Sequence, residues 1–388
     1  MAYFISQNLN FSKELKAKEL KDFSLVADTE YGIEDGLFKV CVIGLYSKEL
    51  CDNSLIFIND EINDNFHPIF SYLSELGFEI DDSSKIDDLL DDLSNLNKEL
   101  DIESKMKKEI IKLIDDGKYD EFLESYNLSK SNLKITRKHK ESDIEIDLPI
   151  IDIKITAHFL PADIFRIGGT EWQDFLKSLQ ISNYRTLRIM EGVRQPKQGY
   201  GQIFCFINNE LKELRVRFSD TMYRLPPANK SLDGQIKAFN IDDSGKLDLL
   251  DFAIKLGFDS EKSLKERMPL FAQKLPENMG QYNAQDLFLT SKLDEITQNF
   301  ITQLRNDFFS SDESISDTTG SNVSKFIVSL IESHFNLKMG LKKSEIKEKN
   351  KDEIYDKSQF LKRKISENAP SELEDLEANK FGIQPFFT

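Results

Sequence analysis

Apolar and polar positions change their period several times along the 388-residue chain. SLVAD and LFKVCVIGLYS are mostly apolar runs, the two glycines of EYGIEDG between them predict a turn, and SLIFIN reads as a third strand of a meander. NFHPIFSYLSELGFE then has helical spacing. From Ile80 to about Ile146 the apolar residues of KIDDLLDDLSNLNKELDIESKMKKEIIKLIDDGKYDEFLESY recur at helical intervals among charged ones, which predicts amphipathic helices in an acidic insertion. LPIIDIKITAHF is extended again and precedes helices at ADIF and TEWQDFLKSLQ. QIFCFINNELKELRVRFSD predicts a β-hairpin turning near Asn208 and Asn209. Helical periods run from about Ser231 to Phe309, SSDESISDTTGSN is a polar linker, and VSKFIVSLIESHF with a charged tail closes the sequence.

The expected organisation is an N-terminal segment (1–22), an α/β domain (23–308) with a helical insertion at about 80–146, a linker (309–321) and a helical, charged C-terminal extension (322–388). Composition supports a folded chain: 39% hydrophobic and 11% aromatic residues, including 29 Phe, lie outside the disordered class. Cys41, Cys51 and Cys205 are too few and scattered for a disulfide framework or a zinc cluster, which fits a reducing compartment. The N-terminus lacks an apolar signal core, and no run approaches the roughly 18 apolar residues of a membrane span. A soluble, cytoplasmic protein without a membrane partner is expected.

Net charge changes the picture further. At −17 the chain is unsuited to coating nucleic acid broadly, because counterion release needs a positive footprint. A local site remains compatible with that charge, since acids that hold divalent metals let the metals reverse the field toward phosphate. In SLVADTEYG, Asp28 and Glu30 are two apart on a strand and share a face, while Thr29 points away. Paired carboxylates repel, and a divalent cation with oxygen ligands offsets that better than a lone lysine. Asp163 opens the helix after IIDIKITAHF, where it could equally be a helix cap. Tyr282 and Asp286, four apart in GQYNAQDLFLTSKL, share one helix face.

In this order, a D-x-E on the first strand, an Asp opening a helix after a central strand and a Y-x-x-x-D on a late helix resemble the three motifs of ribonuclease H-like 3′→5′ exonucleases. More narrowly, the chain resembles the proofreading domain of family B DNA polymerases of the protein-primed, organellar and viral kind. RFSDTMYRLPPANKSLDGQIKAFNI carries that narrower likeness, through a D-S-L-x-x-L-P element followed by S-L-x-x-x-x-K-x-F. The likeness covers roughly Phe23 to Leu304 and leaves the tract before Ile146 as an insertion. It implies a ribonuclease H-like mixed sheet of about five strands, the first three antiparallel, with helices on both faces.

The resemblance further implies that Asp28, Glu30, Asp163 and Asp286 hold two Mg²⁺ or Mn²⁺ ions and that Tyr282 positions the attacking water. It places Thr29, His158, Phe159, Thr221 and Leu225 against the nucleic acid. Two metals about 3.5–4 Å apart would supply a hydroxide near neutral pH and stabilise the leaving oxygen. The implied activity is hydrolysis of single-stranded DNA from its 3′ end to nucleoside 5′-monophosphates, in replication or proofreading, alone or with a polymerase as partner. RNA as substrate, or a catalytically inactive replication scaffold, are the alternatives.

Departures from the family pattern bear on substrate contact. Phe159 stands where the family usually has Asn, Ala162 where it has an aromatic, and Tyr31 where Thr is frequent. An assisting lysine is left open between Lys230 and Lys237. NIDDSGKLDLLD resembles a calcium loop but lacks the closing Glu and a second hand, and reads as an acidic turn. RTLRIMEGVRQPKQGYGQ interleaves Arg185, Arg188, Arg194 and Lys197 with Tyr184 and Tyr200, a pattern equally suited to a single strand and to a solvated flank. Polymerase motifs and phosphate-binding loops are absent from the sequence.

Overall fold

The computed structural model describes residues 2–10, 19–34, 37–81, 84–103, 107–138, 141–164, 167, 169–178, 200–224, 230–241, 247–308 and 327. The chain divides into two units, 1–323 and 324–388. The first is mixed α/β. The second, the expected linker and the basic stretch at 185–197 lie almost wholly outside the described residues.

The strands are β1 (Tyr3–Ser6), β2 (Phe23–Glu34), β3 (Leu37–Tyr46), β4 (Asn53–Ile58), β5 (Ile80–Asp81), β6 (Leu133–Lys138), β7 (Glu141–Ile146), β8 (Ile150–Ala157), β9 (Gly201–Ile207) and β10 (Glu210–Asp220). Eight of them form one mixed sheet in the order β1-β4-β3-β2-β8-β10-β9-β5. The meander β2-β3-β4 is antiparallel, whereas β8 joins β2, and β10 joins β8, in parallel. The Asn208–Asn209 hairpin is present, with φ of 50° and 62°, the left-handed values that a two-residue turn needs and Asn tolerates.

Helices cover both faces because both sets of alternating side chains are apolar. On one face Leu25, Ala27, Ile43, Leu45, Ile153, Ile155, Val216 and Phe218 pack against α1 (Pro68–Glu75), α5 (Leu160–Ile164) and α6 (Thr170–Ser178), with Trp172 fully buried. His67 caps α1 by accepting the Phe70 amide, and burial lowers its pKa to about 3. On the other face Val26, Val42 and Tyr46 meet α8 (Leu250–Lys255), α9 (Glu261–Lys265), α10 (Met268–Lys274) and the long α11 (Pro276–Phe308). α7 (Leu232–Phe239) packs Leu232 and Ile236 against Leu289 and Leu293 of α11.

Several expectations are corrected. The sheet has eight strands rather than about five, because the segment before residue 23 supplies an edge strand and Ile80–Asp81 pairs with β9. The insertion is not all helical: α2 (Ser84–Glu103), α3 (Lys107–Asp115) and α4 (Asp120–Ser125) are followed by the β6-β7 hairpin, whose Ile144 joins the small core of Leu100, Ile110, Ile114 and Tyr119. EYGIEDG is not a turn throughout. β2 runs on through Gly32, where the Pro269 ring packs so closely that a Cβ would meet Cδ at 2.5 Å. Among the described residues no helix is long and apolar enough to cross a membrane.

Candidate functional site

β2 outlasts its parallel partner. Pairing with β8 ends at Val26 opposite Thr156, so the edge of β2 beyond Ala27 is open to whatever β8 leads into. That is α5, and Asp163 takes the vacated ladder position: its Oδ1 accepts the Thr29 amide at 3.3 Å and the Thr29 hydroxyl at 3.0 Å. Asp163 is therefore more than a helix cap, since it seals a strand edge beside Asp28. Its Oδ2 is buried with no hydrogen-bond partner among the described residues.

Asp28 and Glu30 project from the opposite face, toward α11. A bulge follows Glu30, where Glu30 pairs with Val42 but Tyr31 with Val40, and the extra residue, Cys41, donates its thiol to the Glu30 carbonyl at 3.3 Å. α11 brings Asp286 to meet them, so that one carboxylate oxygen from each of Asp28, Glu30 and Asp286 lies within 4.8 Å of the others. Two full charges 4.8 Å apart repel by roughly 3.5 kcal/mol at an effective dielectric of 20. Three ionised acids at that spacing call for protons or a cation. Exposed acidic trios are common without a metal; here Asp286 is only 5% exposed, and the unpartnered Asp163 Oδ2 adds a buried hard oxygen beside Asp28. That oxygen donor set fits Mg²⁺ or Mn²⁺.

Titration reflects the crowding. Burial, then the charge of Asp28, raises the Asp163 carboxyl well above its ordinary value of 3.8, with Asp220 adding to the rise. The folded chain thus holds this proton more tightly than the unfolded chain. Between 3.8 and the raised value it binds more protons, so stability falls as pH rises through that window. Without divalent cations, Asp163→Asn should flatten this decline in thermal melts taken upward from about pH 4; parallel wild-type and variant curves would contradict it. Buried His67, whose pKa is lowered, acts with the opposite sign toward acid, and the variant-minus-wild-type difference removes its contribution.

Tyr282 is 6% exposed on the same face of α11. Burial, then Glu30, Asp286 and Asp28, raise its pKa above the ordinary phenol value, so it keeps its proton at neutral pH.

The residues expected to touch nucleic acid build the frame of the site. Thr29 is 4% exposed with its hydroxyl turned to Asp163. His158 Nε2 donates to the Lys230 carbonyl at 2.8 Å, while Nδ1 lies 2.9 Å from Thr221 Oγ1, itself fully buried and 3.3 Å from the Ala157 carbonyl. Phe159 has φ of 75°, a left-handed conformation in which Asn is several-fold enriched and a bulky side chain is strained. Leu225 lies outside the described residues. Lys237 pairs with Asp233 on the exposed side of α7, and Lys230 contributes its carbonyl to His158. In the calcium-like stretch, Asn240 closes α7 in a left-handed conformation and Asp248 Oδ1 accepts the Leu250 amide; residues 242–246 are not described.

Three contributors escaped the sequence reading. Asp220, ending β10, is 2% exposed and accepts the amides of Phe159, Leu160 and Met222, which fixes the turn into α5. Asn283 donates its amide to Asp28 Oδ2 at 2.6 Å. Gly44, opposite Asp28 on β3, lets α11 approach: a Cβ there would stand 1.8 Å from Asn283 Oδ1 and 2.7 Å from Leu287 Cδ1. A glycine inside the apolar run LFKVCVIGLYS was the available signal.

Comparisons of the chain with protein-family models, curated proteins and solved structures return no match. The site must be read from its own geometry.

Proposed function

We propose that the chain is a metal-dependent 3′→5′ exonuclease that hydrolyses single-stranded DNA to nucleoside 5′-monophosphates. The observation that carries this reading is the convergence of Asp28, Glu30 and Asp286, from segments some 250 residues apart, to within 4.8 Å, with Asp163 anchored on the intervening Thr29. The strand order β4-β3-β2-β8-β10, antiparallel through the first three and parallel thereafter, supports the ribonuclease H-like fold that the motifs suggest.

In this reading Asp28, Glu30 and Asp286, with Asp163 beside them, would hold Mg²⁺ or Mn²⁺. Such ions supply Lewis acidity, which activates water near neutral pH and stabilises charge on the leaving oxygen. The protein's own part is arrangement. Tyr282, kept neutral, is a hydrogen-bond donor and acceptor rather than a base, and orients water against the phosphate. Asp220 and His158 brace the turn into α5, the helix that carries Asp163.

The test is digestion of 5′-labelled single-stranded DNA by purified protein with Mn²⁺, alongside a matched RNA. Stepwise shortening from the 3′ end is expected on DNA, and intact DNA would sink the proposal. Tyr282→Phe should lower kcat about 10–100-fold, the cost of a misoriented reactant, while Mn²⁺ binding stays unchanged. A shift of its pH–rate profile instead would mean that Tyr282 transfers protons.

A further inference from the structure

Resting on the metal-dependent reading above, we propose that Asn283 is a positioning residue for Asp28, fixing the direction in which its carboxylate faces the cation. Asn283 is fully buried on α11, one residue from Tyr282 and three from Asp286. Its amide nitrogen donates to Asp28 Oδ2 at 2.6 Å, a short charge-assisted bond. The orientation of the amide is fixed by chemistry, since reversing it would set a carbonyl oxygen against a carboxylate.

The bond does two things at once. It holds Oδ2, and because the carboxylate is planar this fixes the direction in which the whole group faces Glu30 and Asp286. It also joins β2 to α11 with a neutral donor. A lysine at this position would bring its own positive charge to Asp28 and compete with a divalent ion, whereas an amide orients the carboxylate and leaves the negative charge of the cluster intact. The side chain can reach Asp28 only because Gly44, opposite Asp28, leaves room for its Oδ1. Hydrogen-bond partners that orient a ligand in this way typically contribute 10–100-fold in metal affinity.

Leu287 separates positioning from bracing. It is fully buried, packs on the same Gly44, and makes no bond to Asp28, so a purely structural role would make Asn283→Ala and Leu287→Ala behave alike. The experiment is calorimetric titration of Mn²⁺ into EDTA-stripped, full-length protein, with circular dichroism confirming the fold of each variant. Asn283→Ala is expected to weaken Mn²⁺ binding about 10–100-fold, while Leu287→Ala melts lower yet binds Mn²⁺ as wild type does. If Asn283→Ala fails to fold, Asn283→Leu, which fills similar volume without a donor, takes its place. Wild-type affinity in a folded Asn283 variant, or equal losses in the Asn283 and Leu287 variants, would overturn the inference alone. A wild-type protein that takes up no Mn²⁺ would overturn the metal-dependent reading itself.

Discussion

Asp286→Asn is expected to abolish DNA hydrolysis while leaving the protein at least as stable as wild type in EDTA. Asparagine keeps the shape of the side chain on α11 and removes one of three charges within 4.8 Å. Losing several kcal/mol of transition-state charge stabilisation, at about 1.36 kcal/mol per tenfold in rate, means a fall of about three orders of magnitude or more. Stability should move the other way, because each remaining acid loses a like-charged neighbour worth roughly 3.5 kcal/mol at an effective dielectric of 20. A residue whose only task is packing would lose stability and activity together. Thermal melts in EDTA, beside single-turnover rates in Mn²⁺, separate the two cases, and an active Asp286→Asn protein would remove the carboxylates from the mechanism.

Gly44→Ala should be the most damaging single methyl group in the site. Its Cβ would sit 1.8 Å from Asn283 Oδ1 and 2.7 Å from Leu287 Cδ1, distances no real contact sustains, so either the Asn283 and Leu287 side chains swing aside or α11 moves away from β3. Overpacking of this kind costs about 1–3 kcal/mol, or a melting temperature lower by roughly 5 °C. Because Asn283 bonds Asp28, and Asp286 and Tyr282 ride on the same helix, either change disturbs the arrangement of the acids. Mn²⁺ affinity and stability should therefore fall together, unlike the opposed changes of Asp286→Asn. A Gly44→Ala protein that melts and binds Mn²⁺ like wild type would show that α11 is not held at this distance.

What the sequence disclosed was whatever depends on local period. The two-residue spacing of Asp28 and Glu30 and the four-residue spacing of Tyr282 and Asp286 each name a face, and the structure turns those faces toward one another. The meander and the Asn208–Asn209 hairpin have equally local signals. Pairing between distant segments was hidden. β5 is two residues long and exists only because β9 offers it an edge, and LKITRK with ESDIEI was lost among charged helices although its alternation is regular. Asp163 on local signals alone could be a helix cap, and only the resemblance adds it to the acids; nothing near it shows that pairing with β8 ends at Val26 and leaves the Thr29 amide to be met by its carboxylate. Asn283 and Asp220 act on segments 255 and 60 or so residues away, beyond any periodicity.

The sheet's outermost strands have a consequence for assembly. Among the described residues the sheet begins with the four-residue β1 and ends with the two-residue β5, which covers only Phe206 and Ile207 of β9, so the β1 side has the shorter border. Long unpaired borders act as templates for another chain's backbone, and abbreviated ones deny it a foothold. Concentrating the protein should therefore give strand-by-strand stacking little purchase at the β1 border.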